Sequence, residues 1–211
     1  MEEKQVIELF EQAGAYLEDD HFVYTSGLHG SAYLNKDLLM SDPVKLLPLA
    51  QKLARKFSEL TVETVVVPKG GAIALGQWVA YNLGILTNKV VRNIFAEKHA
   101  IRDYFEFRRG FDNFVTGRRV LILEDIINTG KTVKQLIELV QKKEGVIVGV
   151  GSIWNRGNLL IVNEMDSFSY HSLVNKPLQT TQANECLLCI QGVPINYQIG
   201  HGRNAMSAMT W

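Results

Sequence analysis

A chain of 211 residues, 46% of them hydrophobic and 21% charged, can build one sizeable core with an elaboration or a small cap. Its 22 Lys and Arg balance 22 Asp and Glu, so no global field favours nucleic acid or an anionic membrane, and an anion must be met by a local cluster. No stretch approaches the roughly 20 apolar residues of a membrane span. The start is acidic rather than signal-like, and two cysteines are too few for a disulfide scaffold. The expectation is a cytoplasmic protein.

Val6, Leu9, Phe10 and Ala13 recur at helical spacing, which predicts an amphipathic helix over 2–17. Residues 18–41 mix polar and aromatic side chains without a clean period. Asp42-Pro43 reads as a cap followed by proline at the first helical position, and Leu46, Leu49, Ala50, Leu53, Phe57 and Leu60 form the apolar face of the helix after it. A β-branched run at 64–67 stops at Pro68, and Gly70-Gly71 opens a helix near 72–83. Residues 89–95 read as a strand, 96–117 as charged and aromatic without a stripe, 119–123 as a buried strand, 132–143 as a helix and 146–153 as a continuous apolar strand. Continuous apolar strands separated by helices predict an α/β fold, a parallel sheet covered on both faces.

The informative segment joins the strand at 119–123 to the next helix: Glu124-Asp125-Ile126-Ile127-Asn128-Thr129-Gly130-Lys131-Thr132. Ligands of open α/β sheets bind outside the carboxyl ends of strands. The first amides of a helix are unsatisfied donors at the positive end of its dipole and suit a phosphate. Thr129, Lys131 and Thr132 add donors. Carboxylates repel phosphate, so Glu124 and Asp125 must address something else, either sugar hydroxyls or a Mg2+ ion held with a diphosphate. Gly130-Lys131-Thr132 matches the end of a nucleotide P-loop, but that motif needs a glycine where this chain has Asp125.

This strand, acid pair and Thr-Gly loop resemble the phosphoribosyl-diphosphate signature of type I phosphoribosyltransferases. Several further segments resemble the orotate phosphoribosyltransferases, in their short bacterial and archaeal form. His21 to Tyr33 is similar to the base-site segment, and Ala96-Glu97-Lys98 with Phe107-Arg108-Arg109-Gly110-Phe111 to the mobile catalytic loop and its exit. Asn155-Arg156-Gly157 is similar to the base-binding arginine segment, and Glu185 to Pro194, with Cys186, Cys189 and Gly192, to the family's tail.

The resemblance implies a type I phosphoribosyltransferase fold filling 1–211, with a hood from about 1–40 and 175–211. It implies transfer of a 5-phosphoribosyl group from phosphoribosyl diphosphate to orotate, with Mg2+ carried on the diphosphate and a homodimer that shares its lid. Residues 128–132 would hold the 5-phosphate, Glu124 and Asp125 the ribose hydroxyls, and Lys98, from the neighbouring subunit, the departing diphosphate. Lys69 and Lys131 would add contacts to the diphosphate and phosphate. Thr25, Ser26, Asn128 and Arg156 would bind orotate, Arg156 through its carboxylate. Four residues depart from the family pattern: Lys69 after Pro68, Asn128 where Thr is usual, Lys131 where a small residue is common, and Gly30 in place of serine. Another base as acceptor, or a non-catalytic module that binds phosphoribosyl diphosphate, are the alternative readings.

Cys186-x-x-Cys189 is half a zinc site, to which His201 could add a third ligand, but without a second pair the cysteines read as buried structural thiols. No residue is assigned as a metal ligand. His29 reads as an orienter of the base loop or a satisfied structural histidine, His99 as a lid residue contacting phosphate or an exposed loop histidine with no role, and Trp78 and Trp154 as core.

Overall fold

The computed structural model describes residues 1–24, 26–157 and 168–200. A six-stranded sheet forms its centre. β5 (Thr64–Pro68), β8 (Arg119–Ile127), β9 (Val146–Asn155), β10 (Ser169–Asn175) and β6 (Arg92–Lys98) run parallel, and β7 (Phe105–Glu106) adds antiparallel to β6. The spatial order is β10-β9-β8-β5-β6-β7. β5 is buried along its whole length and β8 from Val120 to Asp125, as strands covered on both faces must be.

Helices α1 (Glu3–Gln12), α3 (Pro43–Phe57) and α4 (Ala72–Thr87) supply one core layer, and α5 (Lys131–Lys142) with Phe105, Val115 and the other faces of β5 and β8 supplies the second. α3 starts where its sequence says it should: the Asp42 carboxylate accepts from the amides of Val44 and Lys45, and Pro43 occupies the first turn. Its predicted face is buried from Leu46 to Phe57, while Leu60 falls in a separate 3-10 turn, Ser58–Leu60. Trp154 is fully buried, with the rings of Phe10 and Tyr16 each 5.1 Å away and its indole N–H donating to the Lys176 carbonyl at 2.8 Å.

Some boundaries move. α1 ends at Gln12, because Gly14 adopts a positive φ and the chain turns into β1 (Tyr16–Leu17). α4 runs to Thr87, four residues past the expected end, until Asn88 takes the left-handed conformation that stops it. β6 begins at Arg92 and β8 continues through Ile127, so Glu124 and Asp125 belong to the strand rather than to the loop beyond it.

The aperiodic segment 18–41 is built of short pieces. β1 pairs with β4 (Tyr33–Leu34), β2 (Phe22–Val23) pairs with β3 (His29–Gly30), and α2 (Lys36–Met40) leads to α3. The C-terminal segment lies against them. His29 and Thr181 exchange backbone hydrogen bonds at 2.9 Å each way, the Asn196 amide donates to the His21 carbonyl, and Lys176 donates to the Tyr16 hydroxyl. A last short helix, α6 (Leu187–Ile190), follows a 3-10 turn over Ala183–Glu185. No helix among the described residues is long and apolar enough to cross a membrane.

Candidate active site

Three cavities adjoin at the carboxyl ends of β8 and β9. The smallest, about 90 Å³, lies against the start of α5 and is lined by Glu124 and residues 126–133, including Asn128, Thr129, Gly130, Lys131 and Thr132. The next, about 300 Å³, is lined by Glu124, Asp125, Lys36, Tyr24, Tyr33, Asn128, Thr132 and Arg156 among others. The largest, about 670 Å³, is lined by Tyr24, Ser26, Leu28, Asn128, Thr129, Arg156, Gly157 and the 177–180 segment. Asn128 borders all three, and Tyr24 and Arg156 border the two larger ones. The sequence therefore places an anion cradle at a helix start, an acid pair beside it, and an open cleft holding a guanidinium beyond.

The acid pair is buried, Glu124 at 8% and Asp125 at 1% exposure. Asp125 is satisfied: one oxygen accepts from the Ile126 amide at 2.7 Å and the other from the Lys36 ammonium at 2.6 Å. Burial, and then the charge on Asp125, push the Glu124 carboxyl well above the ordinary carboxylate range. Lys36 is a site residue that the periodicity of 18–41 gave no reason to choose. Its only signal was a lysine closing the Tyr33-Leu34-Asn35 stretch.

Arg156 follows β9, with its amide bonded to the Ile127 carbonyl at 2.9 Å. Its guanidinium lies 5.5 Å from the centre of the Tyr24 ring, and its Nε is buried without a hydrogen-bond partner. A buried unpaired donor of this kind costs free energy unless something accepts from it. Tyr24 also accounts for the unexpected Gly30: a Cβ there would come within 2.5 Å of the Tyr24 hydroxyl. The same Cβ would also fall 2.8 Å from the Gln179 carbonyl oxygen.

The remaining candidates are placed differently. The Lys69 ammonium is held by Glu97 at 2.7 Å, and the other oxygen of Glu97 accepts from Arg109. Lys69, with Arg109 helping, brings the Glu97 carboxyl down to about 2. Lys98 meets Asp103 at 3.4 Å, and Lys131 bonds the second oxygen of the same carboxylate. The segment between Lys98 and Phe107, where the resemblance expects a mobile loop, is thus a hairpin of β6 and β7 whose tip is fastened to the start of α5, with Gln135 donating to the Asp103 carbonyl at 2.7 Å. His99 lies inside that hairpin, its Nδ1 accepting from the amides of Ile101 and Arg102 and its ring stacked on Tyr104. Neither Lys69 nor Lys98 borders the three cavities. Thr25 and His201 lie outside the described residues.

Residues 32–182 match the family model of the phosphoribosyl transferase domain. The orotate phosphoribosyltransferase of Caldanaerobacter subterraneus subsp. tengcongensis is 33% identical over 196 residues, which is 92% of this chain and 96% of that protein. That of Chlorobium phaeobacteroides is also 33% identical, over 93% of this chain and 95% of the relative. Among solved structures, the Mycobacterium tuberculosis orotate phosphoribosyltransferase in complex with inorganic phosphate superposes with a TM-score of 0.62 at 18% identity, over 81% of this chain and 95% of that one. An adenine phosphoribosyltransferase from Thermoanaerobacter pseudethanolicus reaches 0.54 at 17% identity, over 69% and 88%. The shared fold therefore serves more than one base.

Proposed function

The chain belongs to the orotate phosphoribosyltransferases, a branch of the phosphoribosyltransferase family, and from that premise we propose that it transfers the 5-phosphoribosyl group of phosphoribosyl diphosphate to orotate. The products are orotidine 5-monophosphate and diphosphate, a step of pyrimidine nucleotide synthesis. The observation that carries the choice of base is Arg156, which lines the two larger cavities and whose guanidinium has a buried Nε without a partner. A carboxylated base offers that guanidinium a planar bidentate acceptor, which neutral bases lack.

In this reading the amides and hydroxyls of Asn128 to Thr132 hold the 5-phosphate in the smallest cavity. Glu124 and Asp125 accept from the ribose hydroxyls in the middle one, with Lys36 keeping Asp125 charged. Ser26, Tyr24 and Asn128 border the orotate position beside Arg156. A ring nitrogen of orotate then bonds to the anomeric carbon as the bond to the diphosphate oxygen breaks, the proton of that nitrogen leaves with the diphosphate, and donors fixed in advance stabilise the developing charge. Mg2+ carried on the diphosphate would neutralise the leaving group. Lys98 would meet the diphosphate from a neighbouring subunit, which requires its release from Asp103. The N- and C-terminal segments over the cavities act as the hood that excludes water.

The test is turnover with Mg2+, phosphoribosyl diphosphate and, in separate reactions, orotate, uracil, hypoxanthine, xanthine or adenine, following diphosphate release. Turnover with orotate alone is expected. Turnover with a neutral base and none with orotate would move the specificity elsewhere. Binding of phosphoribosyl diphosphate without turnover on any base would reduce the protein to a binding module. In the Arg156→Ala variant, KM for orotate should rise at least tenfold while KM for phosphoribosyl diphosphate stays within about twofold. Equal losses for both substrates would contradict the role given to Arg156.

A further inference from the structure

Beyond the three cavities, the hood gathers four chemically matched side chains from opposite ends of the chain. The ring nitrogens of His21 and His29 and the sulfurs of Cys186 and Cys189 all lie within 4.8 Å of one another. His21 Nε2 is 2.9 Å from His29 Nδ1 and 3.6 Å from each sulfur, and Cys189 Sγ is 3.4 Å from His29 Nδ1. His21, His29 and Cys186 are each no more than 3% exposed. We propose that these four residues form a structural zinc site.

The spacing suits the ion. With Zn–N near 2.0–2.1 Å and Zn–S near 2.3 Å, the edges of a tetrahedron are roughly 3.3 Å between nitrogens and roughly 3.6 Å between nitrogen and sulfur. The four separations of 2.9–3.6 Å lie within a few tenths of an ångström of these, and the remaining pairs are no more than 4.8 Å apart. Two imidazoles and two thiols are borderline-soft donors, the set that selects zinc over the oxygen-seeking Mg2+ of the reaction. The ring of His21 is oriented from outside: its Nδ1 lies 2.8 Å from the Val193 carbonyl, so that nitrogen carries the proton and Nε2 turns a lone pair inward. Cys186 stands at the start of α6 and Cys189 within it, three residues on, so both sulfurs share one side of the turn.

In the sequence, Cys186-x-x-Cys189 reads as structural thiols because no second pair follows it. The second pair precedes it by more than 150 residues, in the β2–β3 hairpin. That hairpin carries Tyr24, Ser26 and Leu28 between its two histidines, all three bordering the cavity assigned to the base. The ion therefore ties the base-binding turn to the C-terminal segment, and its loss should loosen that turn while leaving the phosphate cradle on α5 intact.

The experiment is metal analysis of the full chain, expressed with zinc in the medium and purified with a non-thiol reductant and no chelator. About one zinc per chain is expected, falling to about a tenth or less in Cys189→Ser and in His29→Ala. Stripping the wild-type protein and adding Co2+ should give the visible absorption of a tetrahedral cobalt–thiolate site, with a lower melting midpoint before metal is restored. The cobalt spectrum decides the matter even if the variants fail to fold. A folded chain with both thiols free that takes up neither ion overturns the proposal, and so does a Cys186–Cys189 disulfide that persists under the reductant.

Discussion

Two adjacent carboxylates buried at a strand end cannot both ionise cheaply, and Lys36 determines which of them does. Its ammonium sits on Asp125, whose second oxygen is held by the Ile126 amide, so Asp125 carries the charge. Glu124, desolvated and next to that charge, keeps its proton to well above its usual 4.5. A carboxyl raised in the folded state stabilises the fold fully below the unfolded value and loses that contribution as pH rises through the folded one. Glu124→Gln, which imitates the protonated acid, should therefore match the wild type in thermal midpoint near pH 4 and exceed it at pH 8.5. An identical pH dependence for both proteins would show that Glu124 is ionised throughout. The same proton has a functional consequence, because ribose hydroxyls are better accepted by a carboxylate. Binding of phosphoribosyl diphosphate at neutral pH should release a proton, measurable by calorimetry in two buffers of different ionisation enthalpy. Asp125→Asn should keep the fold but lower turnover by roughly 10²-fold or more, since it removes charge where the transition state needs it. Undiminished turnover would sink the assignment of that carboxylate.

At the scale of elements, the site depends on how closely the ends of β8 and β9 approach beyond the sheet. Arg156 is bonded to Ile127, and a Cβ on Gly157 would fall 1.8 Å from the Asn128 carbonyl oxygen. Replacing glycine by alanine stabilises a compatible position by about 0.4–1 kcal/mol through the unfolded chain. Overpacking against backbone costs about 1–3 kcal/mol, so the clash wins. Gly157→Ala should lower the melting midpoint and, by displacing Asn128, weaken both substrates together, unlike Arg156→Ala. Loss of orotate affinity alone would mean that the two loops move independently. The β8–α5 unit was legible because one local segment holds the whole argument: buried strand, acids, small-residue loop and helix. β10 was not, since at the sheet edge Ser169, Tyr170, His171 and Ser172 are only partly buried and carry no apolar run. The two-residue strands of the hood are too short for any period, and they conceal Lys36 and the histidine pair. The histidines gain meaning only when the 21–29 and 186–189 segments meet, and Lys36 only when the start of α2 meets Asp125 on β8, contacts across the chain that no local pattern encodes.

For the whole molecule, the question is where the cation opposite the leaving diphosphate comes from. Lys69 is committed to Glu97, while Lys98 and Lys131 share Asp103, so the hairpin is held by ion pairs of mostly exposed partners. Such exposed pairs are each worth only about 0–1 kcal/mol, weak enough for a doubly charged diphosphate to compete for either lysine. Asp103→Asn should therefore lower KM for phosphoribosyl diphosphate by releasing both, and the effect should shrink at high ionic strength. If Lys98 then serves a neighbour, the functional unit is a symmetric dimer in which each site draws its lid from the other chain. Lys98→Ala and Asp125→Asn would each be nearly inactive alone. After mixing and subunit exchange, half of the dimers pair one variant with the other, and each of these has one site with an intact Asp125 and a Lys98 supplied across the interface. Activity should return to about one quarter of the wild type, the statistical share of such sites. A mixture no better than its two components would show that Lys98 acts in its own chain.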